Sequence, residues 1–319
     1  MAAYLELYQS GRLAERVKAA RALLENCRLC PRHCNINRLA DEKGQCRTGK
    51  LAIVTSYGPH FGEEASLVGR RGSGTIFFAN CNLKCVFCQN FTISQLGEGE
   101  ETSAKELAQM MLALQNRGCH NINLVSPTHV VPQILEALEI ASNLGLKLPL
   151  VYNSGGYDSS ETLEILDGVI DIYMPDMKYS DEKIGEELSG VKNYPSVNRT
   201  AIKEMYRQVG DLLVDERGIA SRGLLIRHLV LPDGLAGTEA TVKFIADEIS
   251  LNSYVNIMSQ YRPCYRAFSI PGLDKTLSKL EFTRAVNYAL RAGLKRLDGI
   301  PDYMSNDFVT TDTIEMEVK

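Results

Sequence analysis

From Thr75 onward the chain alternates short apolar runs with stretches of helical periodicity, and this alternation constrains the fold more than any other feature. TIFFA (75–79), NINLV (121–125), PLVYN (149–153), VIDIYMP (169–175), GLLIRHLVLP (223–232) and YVNIM (254–258) have the length and composition of strands. Helices are predicted between them over residues 103–116, 130–145, 159–168, 181–216 with a break near Pro195, and 237–250, followed by a last helix ending at Gly293. Ser103 with Glu106, and Ser278 with Glu281, form capping-box patterns that mark two of the starts. Mostly apolar strands separated by helices require right-handed crossovers and a parallel sheet covered on both faces. Six such units predict an α/β fold, either a partial (β/α)6 barrel or an open doubly wound sheet. Both place ligands beyond the carboxyl ends of the strands.

Upstream, residues 13–25 have helical spacing, a loop-rich stretch carries Cys27, Cys30, Cys34 and Cys46, and LAIVTSY (51–57) suits a strand. Residues 58–74, rich in Gly and charge, are expected to be a loop. The expected organisation is an N-terminal helix and Cys-rich knuckle (1–57), the barrel (58–300) and a polar tail (301–319).

The nine cysteines sharpen the functional reading, because seven fall in two tight clusters and only Cys119 and Cys264 stand apart. The amino-terminal stretch carries charges throughout and no long apolar core, which predicts a cytoplasmic chain. There, clustered thiols bind metal more often than they pair as disulfides. A net charge of −4 gives no pull toward nucleic acid or anionic membrane, and Arg70 and Arg71 are too few to change that.

Immediately after TIFFA comes NCNLKCVFCQN, in which Cys81, Cys85 and Cys88 are spaced C-x3-C-x2-C. Three thiolates this close can take three corners of a [4Fe–4S] cluster, which normally has four ligands. With no fourth cysteine nearby, one iron is left for another ligand, as catalytic metals require. That tells against a non-catalytic iron–sulfur or zinc electron-transfer protein, the competing class.

At these residues the chain resembles the radical S-adenosylmethionine superfamily: three cysteines at the family spacing, an aromatic (Phe87) before the third, and a position just after the first barrel strand. SYGPHFGEEASLVGRRGSGTIFFANCNLKCVFCQN, with the earlier CRLCPRHC, looks closest to an uncharacterised branch of the proteins related to the pyruvate formate-lyase activating enzyme. The resemblance implies a partial barrel of the radical S-adenosylmethionine type. It also implies that S-adenosylmethionine chelates the open iron and is cleaved reductively to a 5′-deoxyadenosyl radical. The electron would come from a low-potential donor such as flavodoxin or ferredoxin. The implied activity is generation of a glycyl radical on a partner enzyme, with a small molecule or another peptide as the alternative substrate.

Further residues follow from the resemblance. YMPDMK (173–178) is similar to the family's D-x-K segment, which would bring Asp176 and Lys178 into the site, Lys178 near the cofactor carboxylate. YNSGG (152–156) makes Asn153 and Ser154 candidates for cofactor contact, and IRHLVLP (226–232) does the same for Arg227 or His228, of which alternation lets only one face inward. Relatives carry a Gly-Gly-Glu motif after the second strand. Here the place reads VSPTHVVP (125–132), where backbone carbonyls, Thr128 or His129 could substitute.

Cys27, Cys30, Cys34 and Cys46 offer four thiolates for zinc or a second iron–sulfur cluster, with His33 as an alternative ligand. His60, Glu63 and Glu64 are candidates for substrate contact or proton transfer. Cys119 is expected to be a buried inert thiol rather than a radical relay, and Cys264 is similarly ambiguous.

Overall fold

Two short helices, α1 (Tyr4–Gln9) and α2 (Arg12–Ala22), open the chain, and Gly11, at φ 75°, makes the turn between them. The computed structural model describes residues 2–300, so the expected tail lies outside the described residues. After the knuckle come β1 (Ala52–His60), α3 (Ala65–Val68), β2 (Ser73–Phe78) and β3 (Glu100–Thr102). The repeating units follow: α4 (Ala104–Asn116), β4 (Ile122–Val125), α5 (Val131–Asn143), β5 (Leu150–Ser154), α6 (Ser160–Leu166) and β6 (Ile172–Pro175). Next are α7 (Glu182–Ser189), α8 (Tyr194–Val209), β7 (Leu213–Val214), β8 (Ala220–Leu229), α9 (Thr238–Phe244), β9 (Tyr254–Met258), α10 (Lys279–Arg291) and β10 (Arg296–Leu297).

The strands form one sheet in the order β10-β9-β8-β6-β5-β4-β2-β1-β3, with β7 hung on β8. Every pairing from β2 to β10 along this path is parallel, whereas β1 runs antiparallel to both β2 and β3. The sheet does not close, which makes it the expected partial barrel of six strand–helix units, extended by an antiparallel edge.

Both capping boxes form, at Ser103/Glu106 and at Ser278/Glu281. The break expected near Pro195 falls between α7 and α8, with Pro195 inside the first turn of α8, because proline fits a helix start but not a helix interior. One local expectation is corrected. Residues 58–74 are not all loop: β1 runs on to His60, its register with β2 set by Tyr57↔Ile76 and His60↔Ser73, and α3 follows.

Helix-facing residues such as Ile76, Ile122, Leu124 and Leu150 are fully buried in the main core, together with Tyr4 and Leu13 from the N-terminal helices. Each contributes roughly 1.5–3 kcal/mol by its burial. The opposite strand faces point into the barrel. Low in it, Val151, Ile172, Met174 and Leu225 form a separate apolar cluster. One step higher toward the carboxyl ends, Asn153, Asp176, Arg227 and Asn256 replace them with polar groups around a cleft. Strand periodicity thus gives the barrel an apolar floor and a polar rim. Among the described residues no helix is long and apolar enough to cross a membrane.

Candidate functional site

The rim opens into a cleft of about 930 Å³. Cys81, Cys85 and Cys88 line it from the loop after β2, facing Asn153, Asp176, Lys178, Arg227 and Asn256. The loop is held by specific bonds. Asn80, at φ 67°, turns the chain out of β2, and its amide donates to the Ile93 carbonyl (3.0 Å). The amides of Lys84 and Val86 donate to the carbonyls of Ser189 and Leu188, both at 2.9 Å, which pins the loop to the end of α7. Asn82 Nδ2 donates to the Tyr157 carbonyl at 2.7 Å.

The thiols are chemically unsettled as they stand. Burial, and then the neighbouring Cys85, push the Cys81 pKa up to about 12, and burial raises Cys85 as well. Cys81 and Cys85, held as thiols by burial, suit a group that binds thiolates and supplies positive charge. Three thiols from one short loop, on a cleft lined by no fourth cysteine among the described residues, are a donor set that fits a [4Fe–4S] cluster with one iron left open.

Asp176 and Lys178 face the cysteine loop as an ion pair, Lys178 Nζ lying 2.6 Å from Asp176 Oδ2. Burial opposes the Lys178 charge, but Asp176 outweighs it and holds the pKa well above the ordinary lysine value. The backbone beneath them is clamped from α8. The Tyr194 hydroxyl accepts from the Lys178 amide (3.1 Å) and donates to the Gly155 carbonyl (2.9 Å), while Asn198 Nδ2 donates to the Asp176 carbonyl (2.9 Å). Gly156, at φ 72°, allows this approach: a Cβ there would lie 2.1 Å from the Asp176 carbonyl oxygen.

Beside Asp176, its bridge partner on the neighbouring strand, Arg227 is gripped by two carboxylates. Its Nε and Nη2 donate to Glu64 at 2.7 and 2.6 Å, and Nη2 also reaches Glu63. Asn256 Nδ2 donates to Glu64 Oε1 at 2.7 Å, and His60 Nδ1 lies 3.4 Å from Glu63. Burial raises the Glu64 pKa, but Arg227 overrides it and the carboxyl stays below its ordinary value.

Several expected residues lie elsewhere. Phe87 is not on the cleft wall; it packs edge-on against Tyr179 and Tyr261, with ring centroids 6.4 and 5.9 Å away. Thr128 and His129 are buried behind the sheet. Ser126, at φ 59°, turns the chain, Thr128 donates to Asp158 (2.6 Å), and His129 Nε2 contacts the Ala79 carbonyl (3.0 Å). Ser154 borders the cleft, but its hydroxyl is committed to Asp158 at 2.7 Å. Of the pair on β8, Arg227 faces inward. His228 faces outward, fully buried between the Met177 carbonyl and Thr238. Cys119 is buried in the main core.

The four N-terminal cysteines lie close enough to influence one another: burial pushes Cys30 up to about 12, and Cys46, Cys27 and Cys34 add to the rise. The knuckle is docked on the barrel. Arg38, 1% exposed, donates to the carbonyls of Gly49 (3.1 Å) and His129 (2.8 Å). Sequence reasoning missed Asn256, Asp158, Tyr194 and Asn198. Asn256 left a signal, a polar residue within the apolar strand YVNIM.

Fold and cleft together define an α/β enzyme whose ligands gather at the carboxyl ends of parallel strands. Residues 75–215 match the model of the Radical SAM superfamily. The uncharacterized protein MJ0674 of Methanocaldococcus jannaschii is 35% identical over 300 residues, covering 91% of this chain and 82% of that protein. MJ0808 of the same organism is 22% identical over 289 residues, covering 84% of this chain and 79% of the relative. Among solved structures, a radical SAM methyltransferase from Sphaerobacter thermophilus is similar with a TM-score of 0.48 and 14% identity, over 69% of this chain and 64% of that one. HydG, a maturase of the [FeFe]-hydrogenase, gives 0.46 and 14%, over 68% and 48%. The chain belongs to the radical SAM superfamily. Membership implies a [4Fe–4S] cluster, S-adenosylmethionine and a reductant.

Proposed function

We propose that Cys81, Cys85 and Cys88 ligate the cluster and that the cleft binds S-adenosylmethionine in order to generate a glycyl radical on a partner enzyme. The observation that carries this reading is the convergence of the three thiols with the Asp176–Lys178 pair and Asn153 on one cleft of about 930 Å³. Held by those three thiolates, a [4Fe–4S] cluster would supply the one-electron chemistry for reductive cleavage of S-adenosylmethionine. The chain's own groups position and shield. Lys178 offers an ammonium to the cofactor carboxylate, Asp176 keeps that ammonium charged, and Asn153 presents an amide from the next strand. The Glu63–Arg227–Glu64–Asn256 group lines the cleft beside Asp176, where it would meet the substrate.

Support for a protein substrate comes from the likeness of the cysteine segment to the activating enzymes. Cys27, Cys30, Cys34 and Cys46 are proposed to hold a second metal group, zinc or iron–sulfur. A knuckle too small for a core of its own would draw stability from it. The test is to incubate the reduced, reconstituted protein and S-adenosylmethionine with glycyl radical enzymes encoded beside it, and to record the radical by electron paramagnetic resonance. A glycyl doublet supports the activase reading. Cofactor turnover on a small molecule with no such doublet replaces it with the alternative substrate class.

A further inference from the structure

A second hollow, of about 730 Å³, lies where the knuckle meets the cysteine loop. It shares Gln95 with the cleft and no other lining residue. Its wall carries five cations, Arg32, Lys43, Arg47, Lys84 and Arg266, against one knuckle thiol, Cys34, and no carboxylate. Among the described residues their sole ion pair is a long one, Lys43 to Asp41 at 3.9 Å. Arg32 and Arg47 donate to the backbone carbonyls of Asn82 and Gln95, which orient the guanidiniums but give them no carboxylate partner. Nη2 of Arg32 is buried without a partner. This concentration of positive charge on a chain of net charge −4 is unfavourable on its own and is relieved by an anionic partner.

Position narrows the partner. Lys84 stands between Cys81 and Cys85 in sequence, and its side chain borders the hollow while their thiols border the cleft. A body seated in the hollow therefore contacts the cysteine loop from outside without obstructing the cleft. Tyr265 also lines the hollow, with the Arg266 guanidinium 5.2 Å over its ring, and an aromatic surface among cations suits a protein partner more than a free ion. We propose that this hollow is the docking surface for the acidic face of a one-electron donor protein. The proposal rests on the reading of Cys81, Cys85 and Cys88 as cluster ligands. One electron passes from the reduced donor to the cluster, with no bond made or broken and no proton transferred.

The primary test is calorimetric binding of an oxidised acidic flavodoxin to the reconstituted protein, which requires no turnover. The wild type should bind with an affinity that falls steeply with salt. Lys43→Glu/Arg266→Glu should weaken binding about tenfold or more, and Lys43→Gln/Arg266→Gln should weaken it less, in the same direction; the second variant decides the matter if the first does not fold. S-Adenosylmethionine cleavage driven by dithionite, which needs no docking, should be unchanged in both variants, whereas cleavage driven by flavodoxin should fall. Unaltered flavodoxin binding in both variants overturns the proposal. So does tripolyphosphate binding in the hollow that leaves flavodoxin affinity untouched, which assigns the site to a small polyanion. No cleavage by the wild type even with dithionite would strike the cluster reading instead, and the binding data would still judge the surface.

Discussion

Lys178 Nζ stands 2.6 Å from Asp176 Oδ2, both side chains largely sheltered, on strand-end backbone that Tyr194 and Asn198 hold from below. Two residues apart in an extended segment, they share a side of the sheet. Lys178→Met removes the one ammonium facing Asp176 and the contact proposed for the cofactor carboxylate. A charge-assisted contact of this kind contributes roughly 1.5–3 kcal/mol. S-Adenosylmethionine affinity should therefore fall about ten- to a hundredfold, with the iron content unchanged. Equilibrium binding on matched reconstituted proteins checks this, and equal affinities would show that other groups hold the cofactor.

Gly156→Ala tests the scaffold under that pair. The new methyl would meet the Asp176 carbonyl oxygen at 2.1 Å, with Asn198 Nδ2 at 2.3 Å, on a backbone at φ 72°. Neither obstacle is a flexible side-chain end free to swing away, since Asn198 is fully buried and bonded to the same carbonyl. A loss of about 2 kcal/mol or more in unfolding free energy is expected. A chemical denaturation curve superimposable on the wild type would mean that the strap has slack.

Acid sensitivity should begin above the carboxylate range. His228 and His129 are buried, and burial lowers their pKa values from 6.5 to about 4 and about 3. Both stay neutral in the folded protein, while the unfolded chain takes up their protons once the pH drops below 6.5. Their contribution is thus fully present above that value and is lost as the pH falls toward the folded-state values, at up to about 1.4 kcal/mol per pH unit for each residue. His228→Gln should flatten the stability difference between pH 7 and pH 5 measured by urea unfolding. An unchanged difference would contradict the assignment.

The knuckle cysteines are tested together. Replacing Cys27, Cys30, Cys34 and Cys46 with Ser should lower bound metal and thermal stability, because Arg38 and the neighbouring loops pack the knuckle against the barrel. The cluster at the other three cysteines should still assemble. Metal content equal to that of the wild type would remove the second site.

What could be foreseen divides by sequence separation. The strand–helix alternation and the capping boxes are local patterns, and the folded units follow them closely. Cys81, Cys85 and Cys88, and likewise Asp176 and Lys178, are neighbours along the chain, so their meeting in one cleft could be anticipated. The partners of Arg227 could not: Glu64 lies 163 residues away, and Asn256 reaches the same carboxylate from 192 residues away. Alternation showed that Arg227 and His228 face opposite ways, but only the register with β9, Arg227↔Asn256, decides which faces in. Thr128 and His129 misled because the turn at Ser126 carries them behind the sheet, a backbone choice that no pattern of residue types announced.

The most direct test of the central claim is anaerobic S-adenosylmethionine cleavage by the reconstituted, dithionite-reduced protein, with 5′-deoxyadenosine quantified by chromatography. The wild type should release 5′-deoxyadenosine and methionine in equal amounts, and Cys81→Ala/Cys85→Ala/Cys88→Ala should release none while keeping its fold by circular dichroism. Cleavage by the triple variant at the wild-type rate would contradict the assignment of these three cysteines.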